Sequence, residues 1–253
     1  MRVPFIGGNW KMNLSLTEAV AFVDELKQQL PDKNEVETVI AASPLFLSAM
    51  IDHSLNSPLQ IAAENCFYED YGAFTGEVSP KSLAEIKVPY VIVGHSERRR
   101  YFNETNDIVN KKVHSILRNQ MTPIICCDET MGSLDSGDHF AWVVNQITTA
   151  LHGIDEEVAK QVVIAYEPSW AIGTGNSAST SEAEEGCYLI RQTLADIYSD
   201  EVADEIRILY GGSVNDQNIV KLMQEPDIDG VLAGKASLQP SEFVKLANFK
   251  RLK

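Results

Sequence analysis

Residues 162–168 read Val-Val-Ile-Ala-Tyr-Glu-Pro, an apolar run that ends in a carboxylate and a proline. A run that is apolar without alternation is typical of a parallel strand covered on both faces. Because Pro168 lacks the N–H that a ladder needs, the strand is predicted to end at Glu167. The segment therefore predicts a buried parallel strand with an acid at its carboxyl end.

Seven other short runs have the same β-rich character, and longer segments between them carry apolar residues at helical spacing. One such segment, 16–30, follows a Ser15 and Glu18 pair that resembles a capping box. Strands alternating with helices indicate parallel βαβ units, and eight units favour a closed (β/α)8 barrel over an open doubly wound sheet. The other predicted strands are Pro4–Gly8, Val36–Ala42, Leu59–Glu64, Tyr90–Gly94, Pro123–Cys127, Ile206–Tyr210 and Ile228–Leu232.

Length and charge narrow the possible functions. The 253 residues match a barrel of roughly 250 residues, so a single α/β domain over 1–253 is predicted. The 21 basic and 36 acidic residues leave a net charge of −15, which disfavours nucleic acid and anionic membranes as partners. The sequence contains no run of the ~20 apolar residues that a transmembrane helix needs.

The four cysteines are Cys66, Cys126, Cys127 and Cys187. Their spacing matches no metal motif, and an adjacent pair suits neither a disulfide framework nor a redox C-x-x-C site. We therefore expect reduced, mostly buried thiols, no metal and a cytoplasmic location.

A barrel places its chemistry just after the strands, at their carboxyl ends. The first candidate there is Lys11, within Gly7-Gly8-Asn9-Trp10-Lys11-Met12-Asn13. A lysine in this turn offers a fixed cation for an anionic substrate, and the glycines allow close backbone approach. On local sequence alone, a surface lysine in a turn stays open as the alternative.

The second candidate is His95, which follows the fourth strand in Gly94-His95-Ser96-Glu97. If Ser96 caps the next helix, the histidine lies near the positive end of that helix. This position favours a neutral, proton-donating ring. The alternative is a structural histidine held at a turn.

The third candidate is Glu167, which precedes a Gly-rich loop that contains Trp170 and Ile172. An acid buried under an apolar loop is expected to have a raised pKa and to act as a general base. The alternative is an ordinary strand-end glutamate beside a flexible loop.

The fourth candidate is a pair of glycine-containing turns after the last two strands, at 209–214 and 229–236. Barrels often hold a phosphate there, on backbone N–H groups at a helix start. Tight strand-to-helix turns with no ligand remain the alternative.

In combination these segments resemble the triosephosphate isomerase family over essentially the whole chain. Six motifs carry the resemblance: Gly-Asn-Trp-Lys-Met-Asn at 8–13, Gly-Ala-Phe-Thr-Gly-Glu at 72–77, Gly-His-Ser-Glu-Arg-Arg at 94–99, Ala-Tyr-Glu-Pro at 165–168, Trp-Ala-Ile-Gly-Thr-Gly at 170–175 and Tyr-Gly-Gly-Ser-Val at 210–214.

The resemblance implies a (β/α)8 barrel and a homodimer that needs no cofactor and no metal. It implies interconversion of dihydroxyacetone phosphate and D-glyceraldehyde 3-phosphate, in glycolysis and gluconeogenesis. By motif position, Glu167 is the expected base and His95 the electrophile. Lys11 is the expected substrate-binding cation, with Asn9 beside it and Glu97 as a supporting acid.

The resemblance also implies a phosphate site and a lid. The phosphate is expected on the backbone of Gly173, Ser213, Gly234 and Lys235. The loop 168–178 is expected to close over the site and exclude water.

Three places depart from the family pattern. Where the family usually has glycine before a glutamate, this chain has Asp128, within Cys126-Cys127-Asp128-Glu129. The second hinge of the loop reads Asn176-Ser177-Ala178, and the turn after the eighth strand reads Gly234-Lys235 instead of Gly-Gly. These departures bear on turnover rate and phosphate affinity more than on the reaction type.

Two other functions compete with this one. Another phosphate-binding barrel enzyme, for instance one acting on an indole or imidazole phosphate, would explain the glycine turns. It would not explain Asn9, Lys11, His95 and Glu167 together. The second alternative is a barrel with a binding role and no catalysis.

An apolar residue, Phe74, lies at the tip of the segment Gly72-Ala73-Phe74-Thr75-Gly76. Such a residue is poorly placed in solvent but well placed in a partner's pocket, which predicts part of the dimer contact. The alternative is a loop folded back on its own barrel.

Overall fold

In a computed structural model, which describes residues 2–130, 132, 139–170 and 178–252, eight parallel strands close into a barrel in the order β1 to β8. The first strand pairs with the second on one side and with the eighth on the other. The strands are β1 (Phe5–Asn9), β2 (Glu37–Ala42), β3 (Leu59–Ala63), β4 (Tyr90–Val93), β5 (Thr122–Asp128), β6 (Val163–Glu167), β7 (Arg207–Tyr210) and β8 (Gly230–Ala233). The barrel prediction is confirmed, and every strand lies where the sequence placed it, to within two residues at either end.

Helices follow the strands and form the outer layer. The first of them begins with the predicted capping box, in which Ser15 and Glu18 each bond the other's backbone N–H. The α-helices among the described residues are α1 (Leu16–Leu26), α2 (Leu47–Ser54), α3 (Pro80–Glu85), α4 (Ser96–Phe102), α5 (Asn106–Arg118), α6 (His139–Ala150), α7 (Glu156–Ala159), α8 (Thr180–Ile197), α9 (Asp200–Glu205), α10 (Ile219–Leu222) and α11 (Pro240–Ala247).

The core has two layers, because alternate side chains of a strand face opposite sides of the sheet. Inside the barrel, Ile124 and Cys126 of β5 pack with Ala165 of β6. Outside it, Ile125 and Cys127 belong to the layer between the strands and the helices. All four cysteines are free and buried, as predicted.

The amino ends of the strands are filled by a polar cluster. Tyr90 donates a hydrogen bond to the Glu37 carboxylate, which also pairs with Arg207. The Arg207 guanidinium lies 5.1 Å from the centre of the Phe5 ring. Because side chains fill this end, the opposite end of the barrel is the one with room for a substrate.

None of the described helices combines the length and the apolar character that a membrane span requires.

Candidate active site

The carboxyl ends of three strands bring together two predicted catalytic side chains, His95 and Glu167, and the predicted substrate-binding side chain of Asn9. Asn9 ends β1, His95 lies two residues beyond the end of β4, and Glu167 ends β6. All three side chains are buried. The barrel therefore assembles groups that are far apart in sequence.

Glu167 is only 2% exposed and contacts the segment that follows β4. Its Oε1 lies 2.8 Å from His95 Nε2, and its Oε2 accepts a 2.8 Å hydrogen bond from the Ser96 backbone N–H. Burial raises the pKa of Glu167, but His95 and the Ser96 N–H outweigh burial and hold the pKa below its usual value. The expectation of a raised pKa was wrong for this arrangement, because the strand sequence does not show that two donors converge on the carboxylate.

His95, and not Ser96, caps α4. The Nδ1 atom of His95 accepts the Glu97 backbone N–H at 3.2 Å, while Ser96 is the first residue of the helix. The predicted serine cap is therefore wrong, although the histidine does lie at the positive end of the helix. The remaining ring nitrogen, Nε2, points at Glu167.

The protonation of His95 depends on two opposing effects. Burial lowers the pKa of His95, and the Glu167 carboxylate raises it above its usual value while the two side chains touch. However, an Nδ1 that accepts an N–H bond carries no proton of its own. The cap therefore favours a neutral ring whose one proton is on Nε2.

Lys11 is held in an unusual backbone conformation. Its φ is +56°, in the left-handed region that non-glycine residues seldom adopt. Its backbone N–H bonds to Asn9 Oδ1 at 3.1 Å, and the preceding Trp10 is anchored by a 2.8 Å bond from Nε1 to the Ser237 carbonyl. Such a conformation persists where the surroundings hold it in place, as they do in many functional sites.

The side chain of Lys11 crosses the mouth of the barrel to the turn after β4. Its Nζ lies 2.8 Å from Glu97 Oε1. Glu97 Oε2 lies in turn 3.7 Å from His95 Nδ1. Lys11, Glu97, His95 and Glu167 thus form a continuous chain of charged and polar groups.

The predicted phosphate residues lie on the same edge of the barrel, beyond β7 and β8. Ser213 is exposed, and Lys235 is the exposed first residue of a short 3₁₀ helix, Lys235–Ser237. Gly234 has a φ of −88°, and a Cβ built on it meets no atom within 4 Å. The open space beside Gly234 leaves room for a ligand. Gly173, with the rest of 171–177, lies outside the described residues.

Trp170, at the start of the Gly-rich loop, is tied to the end of β5. Its Nε1 donates to Glu129 Oε2 at 2.5 Å, and Tyr166 donates to the same oxygen at 2.9 Å. These bonds explain why an aromatic residue, Trp170, lies in a segment whose sequence predicts a loop. Of the departures from the family pattern, Asn176 and Ser177 lie outside the described residues.

Two further acids, the partly buried Glu64 and the buried Asp128, were not proposed as site residues. Glu64, just after β3, has an Oε1 with no hydrogen-bond partner in the described part of the chain, and burial raises its pKa to about 8. Asp128, at the end of β5, is buried beside Glu167. The only sequence signal for either was the departure from glycine at Asp128. Within the described ranges, no three His, Cys, Asp or Glu side chains group as a metal site.

Comparison with known proteins finds triosephosphate isomerases that are similar over nearly the whole chain. The model of the triosephosphate isomerase family matches residues 4–250. A triosephosphate isomerase of Lactiplantibacillus plantarum is 53% identical over 250 residues, which cover 99% of both chains. Those of Pediococcus pentosaceus and Ligilactobacillus salivarius are 52% and 50% identical over 250 residues, covering 99% of this chain and 100% of each relative.

Proposed function

The chain belongs to the triosephosphate isomerase family and interconverts dihydroxyacetone phosphate and D-glyceraldehyde 3-phosphate, a step of glycolysis, and we propose that Glu167 and His95 move the protons. The observation that carries this assignment is the 2.8 Å contact between Glu167 Oε1 and His95 Nε2 at the mouth of the barrel. A carboxylate and a proton donor so close can serve neighbouring atoms of one small substrate.

The proposed reaction proceeds through an enediolate. The Glu167 carboxylate takes a proton from the carbon next to the carbonyl, and the electrons of the broken C–H bond form the carbon–carbon double bond. The carbonyl oxygen takes on negative charge, which the Nε2–H of His95 stabilises by a hydrogen bond. The Nε2 proton of His95 passes to this oxygen while the ring takes the proton of the neighbouring hydroxyl, so that the ring ends neutral. Glu167 returns its proton to the former carbonyl carbon, and the oxygen that lost its proton becomes the new carbonyl, which converts ketone to aldehyde or the reverse.

Substrate binding adjusts the strength of the base. Without substrate, His95 and the Ser96 N–H keep the pKa of Glu167 low. When a substrate oxygen accepts the hydrogen bond from His95 Nε2–H, Glu167 loses one of these donors. Burial, which raises the pKa of Glu167, is then opposed less. Glu167 is thus ionised in the empty site and becomes a stronger base beside the substrate.

Lys11 supplies positive potential to the substrate oxygens. The Lys11 side chain is partly buried, and such a cation stabilises an enediolate more than a fully solvated one does, because less water screens it. The ion pair with Glu97 holds the ammonium group, and the bond from the Lys11 backbone N–H to Asn9 Oδ1 holds the turn that carries it. We assign Glu97 a supporting role, since it contacts Lys11 and lies near the ring of His95.

The substrate phosphate binds, in this proposal, to backbone N–H groups of Ser213, Gly234 and Lys235, together with Gly173 of the loop. The start of the short helix at Lys235 and the open space beside Gly234 support this placement. Binding energy from a group remote from the reacting carbons can then drive closure of the loop 168–178.

A coupled assay tests the proposed activity. We expect glyceraldehyde 3-phosphate to be converted to dihydroxyacetone phosphate with no added metal and with a chelator present, because the acid–base scheme requires only side chains. The readout is NADH oxidation by a dihydroxyacetone-phosphate-reducing enzyme that is itself insensitive to the chelator. Activity that appears only after a divalent ion is added would contradict the scheme.

We also propose that the chain forms a homodimer through the loop that carries Phe74. The ring of Phe74 packs on Phe67 of its own chain, with centroids 4.6 Å apart, yet 41% of the residue stays exposed. Tyr71 beside it and Met12 on the loop after β1 are also exposed. Apolar side chains left in solvent in this way support a partner that covers them.

Replacing Phe74 by glutamate is expected to give a monomer with little activity at micromolar concentration, where the unchanged chain sediments as a dimer. The charge would have to enter an apolar contact, at a cost of several kcal/mol. Sedimentation velocity and the coupled assay measure both effects. Tyr188→Glu, on the exposed face of α8, is the matched control and should leave the dimer intact. An active monomer of the unchanged chain would disprove the dimer requirement.

We further propose that residues 1–253 form one barrel unit that acts in the cytoplasm. The free, buried thiols support a reducing compartment.

A further inference from the structure

Asp128 is a buried acid that the proton-transfer scheme does not use. It is the last residue of β5, and its register partner on β6 is Glu167. Only 5% of Asp128 is exposed. Glycine is the residue expected here from the family pattern, so the carboxyl group requires its own explanation.

The carboxylate of Glu167 lies over the end of β5. Its oxygens contact His95 and Ser96, which follow β4, whereas Glu167 itself ends β6. Since β5 is the strand between β4 and β6, the Glu167 side chain must cross the end of β5 to make these contacts. Asp128 ends that strand, and neighbouring strands are only ~4.8 Å apart. Two carboxyl groups therefore share one edge of the site.

Arg99 is the cation at this edge. Its Nε lies 3.9 Å from Asp128 Oδ1. The guanidinium hydrogen bonds go elsewhere, to the carbonyls of Gly94 and Cys126 and to Asn106 Oδ1. Arg99 is therefore held against the ends of β4 and β5 whether or not Asp128 is present. The carboxyl group adds charge next to the guanidinium without adding a hydrogen bond.

The backbone of Asp128 is clamped independently of its side chain. The side-chain amide of Gln146, on α6, accepts the Asp128 N–H at 3.1 Å and donates to the Asp128 carbonyl at 2.8 Å. Among the described residues, Asp128 Oδ1 is buried and has no hydrogen-bond partner. The side chain of Trp142 hydrogen-bonds the carboxylate, but Oδ1 stays unpaired, and burying an unpaired oxygen costs stability that a purely structural side chain would not need to lose.

We propose that Asp128 is a positioning residue that acts on the reaction through Glu167: its carboxylate offsets the Arg99 guanidinium and keeps Glu167 a strong base. A cation alone at this edge would stabilise the Glu167 carboxylate, lower its pKa and make it a weaker base toward a substrate proton. The negative charge of Asp128 reverses that effect. The inference rests on the proposed role of Glu167 as the base.

The titration of Asp128 is consistent with this coupling. Burial raises the pKa of Asp128, Arg99 lowers it, and the Glu167 carboxylate raises it, so that the pKa lies above its usual value. Coupling of this kind is reciprocal, because an ionised Asp128 must raise the pKa of Glu167 by the same interaction. In the described part of the chain, the groups that face this pair come from five elements. They are His95 and Ser96 after β4, Arg99 on α4, Cys126 and Cys127 on β5, Trp142 on α6 and Gly211 after β7.

The pH dependence of kcat in Asp128→Asn and Asp128→Gly tests the proposal. Both changes remove the negative charge, so the pKa of Glu167 should fall and the acid limb of the kcat profile should move to lower pH, by about 0.5–1 unit. The plateau kcat should fall by about two- to threefold, since a weaker base removes the proton more slowly, with KM changed by less than about twofold. Ionisation of the free substrate phosphate acts equally on every variant and cancels in the comparison.

Two variants and one control separate charge from shape. Asparagine keeps the shape of the side chain, and glycine restores the residue of the family pattern, so a shift in both identifies the charge as the cause. Asp196→Asn, an exposed aspartate on α8, makes the same change in net charge and should leave the profile in place. Thermal unfolding monitored by circular dichroism confirms that each variant is folded at the assay temperature.

An acid limb that stays in place in the folded variants, or moves to higher pH, overturns the proposal. Asp128 would then carry no negative charge at the working pH or would not reach Glu167. This outcome differs from a failure of the proposed base, because the base is tested by the size of kcat in Glu167→Gln. The test at Asp128 depends only on the position of a limb in an enzyme that remains active.

Discussion

Glu167→Gln is expected to lower kcat by about 10²–10⁴, the usual contribution of a positioned general base. The amide keeps the size of the side chain and can still accept the Ser96 N–H, but it cannot take a proton from carbon. Glu167 is the only acid in the described part of the barrel mouth that contacts His95 Nε2. Initial rates of glyceraldehyde 3-phosphate isomerisation, at saturating substrate and in both directions, measure the effect. KM should change far less than kcat.

Glu64→Gln is the matched control for this change. Glu64 is another acid near Lys11 and His95, and burial raises its pKa to about 8. At pH 7 its carboxyl group is therefore mostly protonated, and an amide alters its charge little. We expect kcat within about threefold of the unchanged enzyme. A loss below tenfold in Glu167→Gln would assign proton removal to a different group.

Lys11→Met is expected to remove most of kcat/KM, by roughly 10²–10³ or more, the range for losing one preorganised group that stabilises transition-state charge. Methionine preserves much of the length of the side chain and removes the ammonium group. It also leaves Glu97 without its 2.8 Å partner, which adds negative potential where the enediolate forms. Steady-state kinetics in the coupled assay give the loss, and binding of inorganic phosphate separates affinity from turnover.

Lys235→Gly is the comparison for Lys11, because it removes a lysine that follows the neighbouring strand β8. Lys235 is exposed at the start of the 3₁₀ helix, and its φ is not positive, as predicted from sequence. Its proposed contribution is a backbone N–H, which glycine also has, and its solvated charge is worth about 1 kcal/mol or less. KM should therefore change by less than about tenfold, with kcat nearly intact. A collapse of activity would assign the phosphate to the side chain.

The strands could be predicted because each is a local pattern. For β6 this pattern is the apolar run from Val163 to Ala165, which indicates a strand, and Pro168, which ends it. Neither signal depends on distant parts of the chain. The start of α1 was equally local, since Ser15 and Glu18 bond one another. The predicted helical segment 16–30 was correct only in part, because α1 ends at Leu26 and its first residue, Leu16, is exposed. Periodicity alone does not say which of its positions a neighbouring element covers.

The electrostatics of the site could not be predicted in the same way. The expectation for Glu167 followed from burial alone, and the sign of its pKa shift was reversed by donors about 70 residues earlier in the chain. The cap of α4 was assigned to Ser96 from residue preference, whereas the ring of His95 takes that place. The positive φ of Lys11 has no sequence signature, because lysine is not a residue that favours it.

The order of apolar, glycine and proline residues by itself determined the strands of the barrel and the residues at which they end. It also determined which side chains stand at those ends, because each of these features depends on neighbours within a few residues. The tertiary structure alone decided which group donates to which and how the charges of Glu167 and His95 balance. It also decided that Asp128 lies beside Arg99 and pairs in register with Glu167. Those properties depend on distances of a few ångströms between strands that are separated by dozens of residues. Coulomb energies and hydrogen bonds change steeply over such distances.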